Sequence, residues 1–167
     1  MNRVAAATGS AAFFVLAPGV VAGFVPWWLT GWRVLPVWAP LRWLGVVLVI
    51  AGVGALLSAF GQFVAEGVGT PAPIAPTEHL VVRGLYRYVR NPMYLAVLAT
   101  IAGQALILGR LVLGIYALAV ALAFVAFVRG YEEPTLRRRY GAEYDSYQRA
   151  VPGWWPRMRR GREGGSA

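Results

Sequence analysis

Residues 90–134 read RNPMYLAVLATIAGQALILGRLVLGIYALAVALAFVAFVRGYEEP. Within them, two uncharged apolar stretches, residues 93–109 and 111–128, are separated by Arg110 alone. A helix rises about 1.5 Å per residue and the hydrocarbon core of a bilayer is about 30 Å thick, so each stretch is just long enough to cross. We therefore predict a transmembrane hairpin. It returns the two polar signatures at its ends, residues 90–94 and 131–134, to the same membrane face.

The rest of the chain has the same apolar character. Hydrophobic residues make up 58% of the sequence and charged residues 14%, whereas soluble domains carry about 25% charged residues. Residues 4–32 and 43–65 are also uncharged. We therefore predict an all-α fold: a polytopic integral membrane protein with about four transmembrane helices in two hairpins. Two alternatives stay open, a first block that splits near Pro18 or Pro26 into a span and a re-entrant piece, and a soluble protein with a buried hairpin.

Charge placement predicts the orientation. With four spans, both termini and the loop after residue 65 share one side, and that side holds 13 of the 16 arginines. The positive-inside rule places this side in the cytoplasm. The chain has no lysine, which together with abundant Arg, Ala and Gly suggests a GC-rich bacterial genome and hence the bacterial inner membrane. In this setting the net charge of +9 indicates anionic lipid headgroups as the partner, and no nucleic acid is expected.

The predicted chain divides into three parts. Residues 1–65 form an N-terminal hairpin, in which Gly19 and Gly23 have the spacing of a helix-packing face. Residues 66–152 form a core of cytoplasmic loop, second hairpin and tail helix, and residues 153–167 form a basic, disordered tail. Four residues of the tail helix share one face, which either lies against lipid or covers a cofactor pocket. They are Leu136, Tyr140, Tyr144 and Tyr147.

Two adjacent carboxylates follow the last apolar stretch. Glu132 and Glu133 lie just beyond residue 128, at a depth where a buried carboxylate is costly unless it is paired or used. A carboxylate there can accept hydrogen bonds from hydroxyl groups or hold a cationic cofactor. The alternative is that both acids complement the dipole of the tail helix ahead of Pro134.

The two signatures resemble those of a known family. Asn91-Pro92-Met93-Tyr94 and Tyr131-Glu132-Glu133-Pro134 are similar to the paired signatures of the membrane methyltransferases that include isoprenylcysteine carboxyl methyltransferases and phospholipid N-methyltransferases. The resemblance extends over about residues 66–152. It implies an enzyme that binds S-adenosylmethionine at the cytoplasmic interface and methylates an amphiphilic, lipid-like or isoprenoid-like small molecule.

The resemblance also implies the residues of the site. From the chemistry of methyl transfer, we also expect Arg129 or Arg90 to be catalytic, in that either could orient an anionic group of the acceptor. Glu78 and His79 would lie at the edge of the site, and His79 could accept a proton from an amine. No metal is expected. The cofactor contacts would be Leu80, Val81, Tyr86, Asn91, Pro92, Met93, Tyr94, Glu132 and Glu133.

One departure affects the mechanism. The isoprenylcysteine enzymes usually have histidine where this chain has Asn91, and an asparagine side chain cannot take up a proton near neutral pH.

Two other classes of protein stay open, an NADPH-dependent membrane reductase of the sterol-reductase type, which shares a similar pair of signatures, and a non-catalytic membrane module. The signatures do not select among O-, N- and S-methylation, and they specify no oligomeric state.

Overall fold

The structure is a computed structural model that describes residues 16–65, 80 and 82–156, with the side chains of 63–65 excepted. These residues form helices joined by short turns and contain no strand, so the all-α prediction is confirmed. A 3₁₀ turn, Gly84–Arg87, precedes the third helix, and a π-helical turn, Val128–Glu132, connects the fourth helix to the fifth. The helices are α1 (Leu16–Thr30), α2 (Ala39–Ala65), α3 (Pro92–Leu108), α4 (Leu111–Phe127), α5 (Glu133–Tyr140) and α6 (Ala142–Ala150).

Among the described residues, two stretches of continuous helix are long and apolar enough to cross a membrane. They are Ala39–Gln62 in α2 and Leu111–Tyr140, which runs from α4 through α5. Helices α1 and α3 are apolar but shorter. Large apolar side chains are exposed on the outer faces, with Ile50 at 67% and Leu118 at 63%. Exposed apolar surface of this extent is typical of contact with lipid, which argues against the soluble alternative. The count of four spans stays a prediction.

Helices α2 and α3 pack through glycines. A Cβ atom added to Gly45 would lie 2.7 Å from the Gly103 carbonyl oxygen, and one added to Gly103 would lie 2.6 Å from the Gly45 carbonyl oxygen. About two turns further along α2, a Cβ on Gly52 would lie 2.7 Å from the Ala96 carbonyl oxygen. Small residues let helix backbones approach closely, which drives association in a membrane. This glycine seam fixes α2 against α3.

No helix of the described chain packs on the face predicted at Gly19 and Gly23. A Cβ atom on either glycine would meet no atom within 4 Å from elsewhere in the described chain. Both residues lie on α1, which contacts the second hairpin through the apolar side chains of Val21 and Ala22 and through polar side chains of the hairpin. The sequence spacing was correct for a packing face, but it did not reveal which helices approach each other.

Two side chains of the second hairpin hold α1. Pro26 has no N–H group, so the Ala22 carbonyl lacks its usual helical donor, and Gln104 Nε2 donates to that oxygen at 2.6 Å. The Tyr116 hydroxyl donates to the Val21 carbonyl oxygen at 2.9 Å, within the π-helical turn Val20–Phe24. Because these bonds satisfy the carbonyl groups that the irregular turn leaves free, α1 continues through Pro26 and is not split there.

The tail forms two helices where the sequence predicted one. Gly141 separates α5 from α6 with φ 52° and ψ −124°, a backbone conformation that favours glycine. Tyr144 is only 2% exposed, and the Tyr147 hydroxyl donates to the Tyr86 carbonyl oxygen at 2.6 Å. Burial of the Tyr147 hydroxyl raises its pKa, so the group keeps the proton that this bond requires. These two tyrosines therefore pack on the protein and do not face lipid.

Candidate functional site

The hairpin of α3 and α4 brings the two signatures together. Gly109 ends α3 with φ 65°, and α4 begins at Leu111. The start of α3 consequently lies beside the π-helical turn after α4. The Tyr94 hydroxyl donates to Glu132 Oε2 at 2.8 Å, and Arg90 Nη1 donates to Glu133 Oε1 at 2.9 Å. The two polar ends of the hairpin thus form one cluster.

Glu132 and Tyr94 form the first half of this cluster. Pro92 is the first residue of α3, a position that suits proline because its missing N–H would be unpaired there anyway. This start places Tyr94 in the first turn. In the described chain the Tyr94 hydroxyl is the one hydrogen-bond partner of the Glu132 carboxylate. The carboxylate can therefore accept further hydrogen bonds or pair with a cation.

Two aromatic rings pack near Tyr94, the hydrogen-bond partner of this carboxylate. The Tyr94 ring centroid lies 4.6 Å from that of Phe124 and 6.3 Å from that of Trp154. Tyr94 is thus the ring shared by both contacts and the one that bonds to Glu132, and we call the three rings the aromatic row. Ring faces attract organic cations, and a carboxylate adds a full negative charge. The arrangement can bind a positively charged organic group.

Arg90 and Glu133 form the second half. Their side chains are 13% and 22% exposed, and Arg90 Nη1 also donates to the Tyr144 hydroxyl at 3.1 Å. Burial raises the pKa of Tyr144, and the positive charge of Arg90 opposes that rise. Glu133 lies in the first turn of α5, but α5 continues the same helix as α4, from Leu111 to Tyr140. There is thus no free helix N-terminus at the acidic doublet for the two acids to complement, and both acids have side-chain partners.

The chain after α6 returns to the start of α3. The Arg90 amide donates to the Pro152 carbonyl oxygen at 2.9 Å, and the Asn91 amide donates to the Gly153 carbonyl oxygen at 3.2 Å. Asn91 Nδ2 donates to the same Gly153 oxygen at 3.1 Å. We call this contact between residues 90–91 and 152–154 the tail clasp. In the tail clasp the Asn91 side chain donates a hydrogen bond to the protein itself, although the resemblance implied that this side chain contacts the cofactor.

The tail clasp brings in residues that the sequence analysis missed. Gly153 and Trp154 had been assigned to the basic tail, yet Gly153 bonds to Asn91 and Trp154 packs near Tyr94. A signal was present in the sequence, because 151–156 is an uncharged stretch with two tryptophans just before a run of arginines. The remainder of that tail, residues 157–167, lies outside the described residues.

Other predicted site residues have different surroundings. Tyr86 is 8% exposed and forms a buried apolar cluster with Ala59, against which Leu85 and the partly buried Met93 pack. Arg129 is exposed and makes no hydrogen bond or ion pair in the described part of the chain.

The loop that leads to the 3₁₀ turn is described at few positions. Leu80 is half-buried, and the structure gives it no specific contact. Val81, Glu78 and His79 lie outside the described residues. Their assigned roles therefore stay predictions.

Gln62 is a further polar residue that the sequence analysis missed. It lies near the end of α2, in contact with Gly84. Its Oε1 atom is buried and has no hydrogen-bond partner among the described residues. A buried acceptor without a donor is costly. It is a candidate contact for a ligand that carries a hydrogen-bond donor.

Metal binding finds no support in the described residues. No group of three or more His, Asp or Glu side chains there could hold a metal ion, and the whole chain lacks cysteine. The polar cluster is instead made of two carboxylates, one guanidinium group, tyrosine hydroxyls and aromatic rings. These are groups that can make hydrogen bonds, ion pairs and ring contacts with an organic ligand.

The fold and the site define an α-helical protein of membrane type with a polar cluster at the ends of a helical hairpin. The model of the phospholipid methyltransferase family matches residues 40–143. The chain therefore belongs to the phospholipid methyltransferase family, a family of membrane methyltransferases. This match confirms the resemblance and extends it to α2, which lies before the 66–152 stretch that carried it. A search of curated proteins finds no match to this chain.

Proposed function

We propose that the protein transfers a methyl group from S-adenosylmethionine to an amphiphilic acceptor at the cytoplasmic surface of the membrane. Family membership supports methyl transfer, and methyltransferases of this family generally use S-adenosylmethionine. The observation that carries the proposal for this chain is the Tyr94–Glu132 pair in its row of aromatic rings. A carboxylate with one partner suits a ligand that has a positive charge.

The residues present fit this cofactor. When bound, S-adenosylmethionine supplies a methyl group on a positively charged sulfur, which needs no further activation. Glu132 would hold the positive charge, and the Tyr94 hydroxyl orients its carboxylate. The remaining task of the chain is to hold the acceptor close to the methyl group and to exclude water. The half-buried rings of Tyr94, Phe124 and Trp154 can exclude water on one side.

The acceptor would reach the site from the bilayer. Leu118 and Leu122 are exposed on α4, and Arg129 is exposed at the cytoplasmic end of the same helix in the proposed orientation. An acceptor with apolar chains could lie along this face while Arg129 binds its anionic group. Arg90 is less suited to that task because Glu133 and Tyr144 already bind it. We assign Arg90 to fixing the tail.

A binding experiment tests this function. S-adenosylhomocysteine, the demethylated product, should raise the melting temperature of the purified protein, because a ligand that binds only the folded state stabilises it by about 2.7 kcal/mol at 100 times Kd. For a chain of this size we expect a rise of about 5–10 °C. NADPH is the matched control and should cause no shift. A shift with NADPH and none with S-adenosylhomocysteine would favour the reductase alternative.

The orientation can be tested with single cysteines. We propose four spans with cytoplasmic termini in a bacterial inner membrane, on the basis of the arginine distribution. A cysteine at Val34, which is 55% exposed in the turn after α1, should react with a membrane-impermeant maleimide in intact cells. One at Ser146 in α6 should react only after permeabilisation. The parent chain has no cysteine and supplies the background. Reaction of both positions from one side contradicts the topology.

A further inference from the structure

The tail clasp fixes one of two adjacent tryptophans at the site. The carbonyl oxygens of residues 152 and 153 accept hydrogen bonds from Arg90 and Asn91. These bonds restrict the movement of the next residue, Trp154. Its indole is half-buried and lies 6.3 Å from the Tyr94 ring, with an interplanar angle of 37°. Trp155 is 83% exposed. The two adjacent tryptophans therefore form a matched pair for comparison. The Trp154 indole packs at the site, and the Trp155 indole is exposed.

The neighbours of Trp154 make it suitable for recognising charge. The neighbouring Tyr94 donates a hydrogen bond from its hydroxyl to Glu132, so the indole packs near the aromatic partner of a carboxylate. An indole face attracts cations more strongly than the faces of the other aromatic side chains, and the attraction grows as water is excluded. A neutral ligand of the same shape gains only packing from that face.

We propose that Trp154 recognises the cationic centre of the bound ligand, the sulfonium group of S-adenosylmethionine, and that the tail clasp holds the indole in position for it. This inference rests on the proposed function. The clasp matters because an indole on a free tail would lose conformational freedom when the ligand binds, whereas a fixed indole does not. Trp154 thus adds to Glu132 in distinguishing a charged cofactor from its neutral product.

A membrane-anchoring role for Trp154 makes a different prediction. Tryptophans are common at membrane interfaces, where the indole lies at headgroup level. Trp155 is more exposed than Trp154 and would serve that role at least as well. Anchoring also has no connection with the charge of a soluble ligand. The two roles therefore differ both in which tryptophan matters and in which ligand is affected.

Isothermal titration of detergent-purified protein with S-adenosylmethionine and with S-adenosylhomocysteine tests the inference. Trp154→Leu keeps an apolar side chain but removes the ring, and we expect it to raise Kd about tenfold for the sulfonium and about twofold for the thioether. Trp154→Phe keeps a weaker ring and should show a smaller loss with the same preference. Trp155→Leu is the control and should match the wild type with both ligands. Melting temperatures without ligand show whether each variant is folded.

The outcomes are distinct. Equal Kd values for Trp154→Leu and Trp155→Leu would overturn the inference, and so would an equal loss for the two ligands, because that would indicate packing without recognition of charge. If Trp154→Leu does not fold, the Trp154→Phe variant decides by the same comparison of ligands. A wild-type protein that binds neither ligand would overturn the proposed function itself.

Discussion

Glu132→Gln is expected to weaken the binding of S-adenosylmethionine about tenfold or more, with little change in the melting temperature of the ligand-free protein. Glutamine can still accept the hydrogen bond from Tyr94, which is now 2.8 Å long, but it has no negative charge. A hydrogen bond to a charged group contributes about 1.5–3 kcal/mol, which corresponds to about tenfold or more in Kd. Titration calorimetry and a thermal melt measure the two quantities separately.

The neighbouring acid is the matched control. Glu133→Gln removes the charge that pairs with Arg90, whose side chain is only 13% exposed, so the guanidinium group would be left without its counter-ion. Removing one partner of a fully buried ion pair costs about 3–5 kcal/mol, and solvent access at this site reduces the cost. We expect a lower melting temperature and a smaller change in affinity. Equal affinities for wild type and Glu132→Gln would remove Glu132 from the proposed site.

Gly52→Ala is expected to lower the melting temperature by about 5–10 °C, although alanine favours helix over glycine by about 1 kcal/mol. The added Cβ would lie 2.7 Å from the Ala96 carbonyl oxygen and 3.0 Å from the Thr100 backbone nitrogen. Both are backbone atoms, so α2 and α3 would have to separate. That separation would remove close packing along the glycine seam.

Gly54→Ala is the control on the same helix. A Cβ there would meet nothing within 4 Å, so only the higher helix propensity of alanine acts, and the melting temperature should stay equal or rise. Thermal melts of both variants in the same detergent make the comparison. If the two substitutions shift the melting temperature alike, the close approach of α2 and α3 at Gly52 is not the cause, and the glycine seam does not hold these helices together.

The features that follow from chain length and charge could be predicted from the sequence. The apolar blocks, separated by Arg110, predict a hairpin, and a hairpin requires its two ends to meet. The contact between Tyr94 and Glu132 follows from that geometry. The glycine seam could not be predicted in this way, because Gly19 and Gly23 have a spacing that suits helix packing, and so do Gly45 and Gly52. Which pair packs depends on the helix that lies opposite.

The tail was harder to predict for two physical reasons. Helical periodicity was counted through Gly141, but its positive φ of 52° ends one helix and starts another. The tail clasp depends on backbone bonds from Arg90 and Asn91 to carbonyl groups about 60 residues away, and backbone groups are the same in every sequence. Apart from the Asn91 side chain and the uncharged stretch 151–156, the pattern of side chains therefore carries little information about this contact.

The acidic doublet shows the limit of a motif. Glu132 and Glu133 are identical in the sequence, but successive residues of a helix point about 100° apart. One carboxylate consequently meets Tyr94 and the other meets Arg90. From the sequence, both acids are assigned to the cofactor, whereas their different partners indicate a separate structural task for Glu133.

The Arg90–Glu133 ion pair also affects how the site would turn over. Because the two charges of the pair cancel, ionised Glu132 leaves the cluster with one net negative charge. Under the proposed function, a cofactor with a positive sulfur neutralises that charge, whereas the thioether left after methyl transfer has no charge at that position. The attraction to Glu132 and to the aromatic row is then lost with the methyl group. The same electrostatic balance would therefore favour the exchange of spent product for fresh cofactor.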